Sequence, residues 1–394
     1  MTPSLPLVGI TVISLEQAVA APYATRQLAD LGARVIKIER PGVGDFARGY
    51  DETVHGDSSY FVWLNRSKES LTLDLKSEVG QRILRELLAD ADVFIQNLGP
   101  GAVRRMGLGA DDLEASHPGL IVCEITGYGE GPWQSRKAYD LLVQAEAGLI
   151  AVSGTEDEAA KAGISVADIA AGTFAYSGIL ASLYTRATTG RAPAVSVSLF
   201  EALAEWMGSP MYYSRYGGTA PRRTGARHAT IAPYGPFTAG DGGIVLLAVQ
   251  NQPEWQRLCA EVLGLPELAD DPRFTKNPLR VLNREELEAI ITAAIQSLTA
   301  DELEDKLEAA GIANARTNTM VQVWDHPVLA ERKRWRTVRT PGGQIGALLP
   351  PADLRGVDPR MDPVPALGEH SEKILGELGV DAATIDQWRH ANIV

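Results

Sequence analysis

The sequence predicts an α/β protein whose larger part is a parallel sheet. Three observations predict it. Strand-like and helical runs alternate from the N-terminus: residues 9–15 read as a strand, 22–31 as a helix and 34–39 as a second strand. The alternation then continues for about ninety residues, as repeated βαβ units require. Glycine- and proline-bearing turns follow strand ends, at Asn97-Leu98-Gly99-Pro100-Gly101 and at Thr126-Gly127-Tyr128-Gly129-Glu130-Gly131-Pro132. In open parallel sheets that edge is where ligands bind.

Each element has its own signal. Pro22 suits the first turn of the 22–31 helix, and Gly32 supplies its stop. Between the first strand and that helix stands Leu15-Glu16-Gln17-Ala18-Val19-Ala20-Ala21-Pro22. No Gly-x-Gly-x-x-Gly occurs there, so a Rossmann fold that binds NAD is a poor expectation, while a Rossmann-like parallel sheet is a good one. Further strands are expected over 71–75, 93–96 and 120–125, with a helix over 80–89. A strand over 194–198 leads into one long helix over 199–216.

Gly217-Gly218-Thr219-Ala220-Pro221-Arg222-Arg223 reads as a linker, and the texture changes beyond it. A strand over 243–249 and helices over 254–263 and 285–297 are expected. Thr299-Ala300-Asp301-Glu302 has the capping-box pattern and opens another helix. The organisation read from these signals is a large domain over 1–210, a linker over 211–230 and a small α/β domain over 231–328. Residues 329–394 then return to the large domain through short strands, a proline-rich stretch and a helical end.

Composition narrows the function. With 394 residues, 45% hydrophobic and 22% charged, the chain is an ordinary globular protein of two domains or one with an insertion. A net charge of −13 argues against nucleic acid or anionic membrane as a general partner, so an anionic ligand would have to be met by local basic residues. Residues 1–6 carry no basic, apolar export pattern, and Cys123 and Cys259 stand far apart in apolar segments. Reduced core thiols and a cytoplasmic location are the expectation. The six histidines are scattered singly and no Cys-x-x-Cys occurs, so neither a metal site nor a permanently bound cofactor is expected.

One carboxylate is placed unusually. Asp168 begins the apolar run Ile169-Ala170-Ala171-Gly172, and residues 173–184 continue it as a buried helix. A carboxylate at a helix N-terminus can be held ionised by the amides there while shielded from water, as a nucleophile requires. The alternative is that Asp168 is only the helix N-cap.

Several segments together resemble the class III CoA-transferases, the CaiB/BaiF family. They are residues 28–41 (LADLGARVIKIERP), Asn97-Leu98-Gly99-Pro100-Gly101-Ala102, Arg105-Met106-Gly107, Gly127-Tyr128-Gly129, Tyr139-Asp140 and Asp168 in its apolar frame. The resemblance implies that Asp168 attacks an acyl-CoA thioester and passes through an aspartyl-CoA thioester, CoA entering as substrate. By position in the family pattern, Arg40, Leu73, Lys76, Asn97, Leu98, Arg105 and Lys137 are implied as CoA contacts. For Lys76, Lys137 and the neighbouring Arg104, a solvated surface charge is the alternative. The family's racemases carry histidine at the position of Tyr139; a phenol is a poor exchange partner for an α-proton, which favours CoA transfer over racemisation. It can hydrogen-bond a carboxylate or carbonyl instead, so Tyr139 is implied as a catalytic residue beside Asp168. The glycine run of formyl-CoA transferases has no counterpart in residues 246–251, which speaks against oxalate or formate as the main substrate.

Residues 198–208 and 226–237 resemble members acting on C4–C5 dicarboxylates, such as mesaconyl-CoA C1–C4 transferase and itaconate CoA-transferases. Gln17, Arg227 and His228 are then candidates for the free carboxylic acid, with a packed or capping His228 as the alternative. The resemblance further implies an interlocked homodimer. A racemase, or a non-catalytic CoA-binding protein on the same fold, is the competing reading of the whole.

Overall fold

The computed structural model describes residues 5–394, and the chain divides into two compact units. The larger runs to residue 147 and adds 162–207 and 330–394; the smaller comprises 148–161 and 208–329. Residues 148–161 thus join the smaller unit, where the sequence boundaries keep them in the larger. The second segment of the smaller unit opens at Gly208, where the helix expected over 199–216 divides in two, Leu199–Trp206 and Gly208–Gly217. Gly208 weakens the run, and the ring of Pro210 is tolerated only near the start of a new helix.

The large unit is built on a six-stranded, wholly parallel sheet: β1 (Thr11–Leu15), β2 (Arg34–Glu39), β3 (Lys68–Thr72), β4 (Val93–Gln96), β5 (Ile121–Thr126) and β6 (Val195–Ser198). Their order is β3-β2-β1-β4-β5-β6. This is the doubly wound order, and its direction reverses between β1 and β4, so a crevice opens at the carboxyl ends of those two strands. Strands β1 and β4 are buried almost throughout and read as continuous apolar runs, as a sheet covered on both faces demands.

Strand β3 lies three residues before its expected place. Lys68 and Glu69 are charged side chains of the kind that usually face water, yet the Lys68 ammonium is buried 2.6 Å from the Glu16 carboxylate, and the strand starts there. Beyond β3 the chain makes one more strand-like bond, Leu73 N to Glu39 O, before Ser77 caps the helix Glu78–Ala89.

The helix Val166–Thr189 is the longest in the chain and is apolar enough to cross a membrane by length and composition. Its alanine face (Ala167, Ala170, Ala171, Ala175) is buried within the large unit, but Ser177 and Tyr184 are exposed, so the segment expected to be buried throughout is buried on one side. It packs on the helix Ala20–Asp30, and a Cβ on Gly172 would stand 2.5 Å from the Ala20 carbonyl oxygen. Glycine is therefore required where the two helices approach. Asp168 lies one turn earlier on that face, which carries it toward the chain leaving β1.

The small unit has a three-stranded antiparallel sheet, β7 (Tyr234–Thr238), β8 (Ile244–Ala248) and β9 (Ala313–Arg316), over a core that includes Trp255, Phe274, Leu287, Ile291 and Leu303. The Thr299–Glu302 capping box is formed. The chain then adds a hairpin to the large unit, β10 (Trp335–Thr340) with β11 (Gly343–Leu348). The helices Ser371–Glu377 and Ala382–His390 follow, placing Ile374, Leu375 and Ile385 in the core beneath β2 and β3.

Candidate active site

Asp168 is not the cap of its helix. Ser165 occupies the cap position without a side-chain bond, and Asp168 is the third helical residue. The capping carboxylate comes from elsewhere: Asp140 Oδ1 accepts from Ala167 N at 2.7 Å and Asp168 N at 3.4 Å, while Gln144 Nε2 donates to Oδ2 at 2.7 Å. Asp140 opens the helix Asp140–Glu146, so two helix N-termini converge on one carboxylate. Among the described residues none donates a hydrogen bond to the Asp168 carboxylate.

Burial pushes Asp168 up to about 7, and the neighbouring Asp140 charge adds to the rise. This corrects the expectation that the helix amides hold Asp168 ionised, because those amides are spent on Asp140. The result is a partly buried, unbonded carboxyl near its midpoint at neutral pH, a poised condition typical of reacting groups.

The sheet's switch point is built from the residues just past β1 and β4. Gln17, just past β1, and Asn97, just past β4, clamp each other: Gln17 N donates to Asn97 Oδ1 at 2.8 Å, and Asn97 Nδ2 donates to Gln17 O at 2.9 Å. Gln17 Oε1 accepts from Phe46 N at 3.0 Å. Leu98 N donates to Gln96 Oε1, which shapes the turn after β4. Tyr139 immediately precedes Asp140 and exposes most of its ring. Tyr50 was not anticipated from sequence. Burial raises its phenol, with the Asp45, Asp168 and Tyr139 charges adding, so it lies within electrostatic range of the nucleophile candidate.

The implied CoA contacts fall on the carboxyl edge of the sheet or on the loops beyond it. Arg40 follows β2, stacks its guanidinium on Phe46 at 4.7 Å and donates to Gly44 O. Arg105 ends the short helix after Gly101 and donates to Pro100 O. Among the described residues Arg40, Lys76, Arg105 and Lys137 are exposed cations without a carboxylate partner, whereas Arg104 pairs with Glu130 at 3.2 Å. Leu73 is the exception: it is buried in the core, and its amide donates to Glu39 O.

In the small unit, Arg227 is spent on Glu288 at 2.7 Å. His228 stacks on Tyr234 with ring centroids 5.2 Å apart and accepts from Thr230 N. Both are engaged internally, which matches the packed alternative for His228.

Sequence reasoning also missed the charges beneath this site. Lys37 interrupts an apolar strand, and its ammonium is fully buried between Asp45 (2.6 Å) and Glu16 (3.2 Å). The visible signal was a lysine inside RVIKIE followed by Gly44-Asp45.

The sheet order, the unbonded aspartate at a helix start and the exposed cations along the carboxyl edge are the marks of a doubly wound α/β protein suited to an anionic ligand. The family is more specific than that: residues 7–371 match the model of CoA-transferase family III, and the chain belongs to that family. It is 35% identical to the succinyl-CoA:glutarate CoA-transferase of Mus musculus over 99% of this chain and 90% of that protein. To an acetyl-CoA:oxalate CoA-transferase of Acetobacter aceti it is 37% identical, over 79% of this chain and 80% of that one. A CaiB/BaiF family protein of Brucella suis superposes with a TM-score of 0.82 at 32% identity, covering 95% of this chain and all of the other. The protein is thus a class III CoA-transferase, moving CoA between carboxylates.

Proposed function

We propose that transfer runs through covalent catalysis on Asp168, and that the acids exchanged are small dicarboxylates. The observation that carries the reading is a carboxyl one helical turn from the close approach of Gly172 to Ala20, with no hydrogen-bond donor among the described residues and pushed up to about 7 by burial. A donated bond would stabilise its charge and blunt it as a nucleophile.

In the proposed sequence, an Asp168 oxygen attacks the thioester carbonyl, the C–S bond breaks, and CoA thiolate departs from a mixed anhydride. The thiolate attacks the Asp168 carboxyl carbon; the C–O bond to the donor acyl group breaks, the donor acid leaves, and an aspartyl-CoA thioester remains. An acceptor carboxylate repeats the two steps in reverse and leaves as the new CoA ester, restoring Asp168. Atoms and charges balance without ATP or metal. Water would hydrolyse the anhydride, and the partly buried setting of Asp168 limits its access.

Arg40, Lys76, Arg105 and Lys137 are proposed to meet the CoA phosphates. The Gln17 side-chain amide Nε2 has no partner among the described residues and is proposed as a donor to the acyl oxygen or the incoming carboxylate. Arg227 and His228 are weaker candidates for the acceptor because their groups are already engaged. Relatives named for glutarate support a dicarboxylate acceptor, while one named for oxalate keeps a C2 diacid in the panel despite the missing glycine run. The dimer is part of the proposal and predicts dimeric mass in light scattering at micromolar concentration; a monomer would contradict it.

Incubation with succinyl-CoA and a panel of free diacids, read by mass spectrometry, tests the reading. New CoA esters of C4–C5 diacids are expected, with no solvent deuterium entering the α-position of a 2-methylacyl-CoA. Rapid deuterium exchange without transfer would favour the racemase, and CoA binding without either would favour a non-catalytic protein.

A further inference from the structure

Beneath the carboxyl edge lies a cluster of charges that the proposed chemistry does not use. Glu16, Lys37, Asp45 and Lys68 have fully buried side chains, and their charges sum to zero. Glu16 Oε1 accepts from Lys68 Nζ at 2.6 Å and Lys37 Nζ at 3.2 Å, while Glu16 Oε2 accepts from Thr25 Oγ1 at 2.6 Å. Lys37 Nζ also donates to Asp45 Oδ2 at 2.6 Å. Burial opposes the charge on Glu16, but the two lysines overcome it and draw the carboxyl down to about 2.

Buried ion pairs seldom stabilise a fold more than an apolar cluster of equal volume would, so their position is the more informative property. Asp45 turns its other oxygen, Oδ1, toward two main-chain amides, Ala18 N at 2.9 Å and Ala47 N at 2.9 Å. Ala18 has φ +59, a left-handed conformation that a non-glycine residue keeps only when its surroundings impose it. Ala18 immediately follows Gln17, whose own main chain is clamped by Asn97 and whose side chain is held by Phe46 N. The same turn leads into the helix that closes on Gly172, one turn from Asp168.

We propose that Lys37 is a positioning residue for CoA transfer: by fixing Asp45 it holds the strained Gln17–Ala18 turn against Asp168, setting the donor amide of Gln17 without touching substrate. The inference rests on the reading of Asp168 as nucleophile. Lys37 bonds to none of Arg40, Lys76, Arg105 and Lys137; of these, Arg40 alone reaches the Asp45 loop, through Gly44 O and the Phe46 ring. Loss of the constraint leaves the other three cations untouched and therefore acts mainly on the chemical step. A displacement of about 1 Å at a reacting centre costs on the order of 100-fold in rate.

The test compares wild type with Lys37→Met, Asp45→Asn and the double variant Ala18→Gly/Lys37→Met. Asp45→Asn keeps an oxygen for the two amides and serves if Lys37→Met does not fold. Three quantities are read: CoA affinity by calorimetry, kcat, and the single-turnover rate at which succinyl-CoA places CoA on the Asp168 peptide. For Lys37→Met the expected result is CoA affinity within threefold of wild type and a labelling rate lower by ~30–100-fold. Asp45→Asn should fall between the two. Glycine adopts the left-handed turn unaided, so Ala18→Gly should restore ~10-fold of the lost rate to Lys37→Met, a rescue that a merely structural lysine would not give. Unchanged labelling in folded Lys37→Met, a parallel loss of CoA affinity, or absence of rescue would overturn the inference alone. Failure of the wild type itself to acquire CoA on Asp168 would overturn both this inference and the covalent reading.

Discussion

Replacing Asp168 by asparagine should stabilise the protein above neutral pH while abolishing its activity. The carboxyl sits at about 7 in the folded chain and near 3.8 when exposed, because burial, with Asp140 beside it, disfavours the charge. Below pH ~4 the group is protonated in both states and contributes nothing. Between ~4 and ~7 the folded state holds the proton more tightly than the unfolded state, so stability falls as pH rises. Above ~7 the cost is complete. About three units at ~1.4 kcal/mol each give ~4 kcal/mol, and partial exposure of the side chain reduces this to ~2 kcal/mol. Asparagine keeps the shape and carries no charge, so the variant gains that amount at pH 8 and loses the advantage as pH approaches 4. For a chain of 394 residues the gain is a rise of about 2–3 °C in Tm. Scanning calorimetry of both proteins at pH 4.5 and pH 8 checks it. A variant no more stable than wild type at pH 8, or a difference that ignores pH, would refute the argument. A variant less stable at both would restore Asp168 to a capping role.

Two further outcomes follow from the same geometry. Asp140→Asn removes the like charge but not the burial, the larger cause, so the acid limb of the kcat/KM profile should move down by about one unit and no further; a limb that stays put or moves up would contradict the assignment. Arg105→Ala should raise KM for CoA esters ~10-fold with kcat unchanged, as the loss of one charge-assisted phosphate contact predicts, and initial-rate kinetics with CoA esters would show it; a fall in kcat alone would place Arg105 in another role.

The parallel sheet was legible in the sequence because its central strands β1 and β4 are buried on both faces and read as apolar runs punctuated by turns; β2 and β4 fell on their expected residues. Strand β3 slipped because Lys68 reads as solvent-facing until its partner Glu16, fifty-two positions away, is known. The break at Gly208–Pro210 was visible as residue types, but periodicity carried the helix through it. At the site, Asp168 stood out by its apolar frame, whereas its relation to Asp140 did not: a cap supplied across 28 residues leaves no local pattern. Lys37 and Asp45 were hidden for the same reason, since charge neutralisation inside a fold is a property of pairs.

The most direct measurement is mass analysis of the peptide containing Asp168 after brief incubation of the wild-type enzyme with succinyl-CoA, with hydroxylamine or borohydride added in parallel to trap the thioester. CoA attached through the Asp168 carboxyl is expected, absent from Asp168→Asn and discharged by an acceptor diacid. Steady transfer with no CoA on that peptide at any time, or an Asp168→Asn variant that still turns over, would contradict covalent catalysis on Asp168.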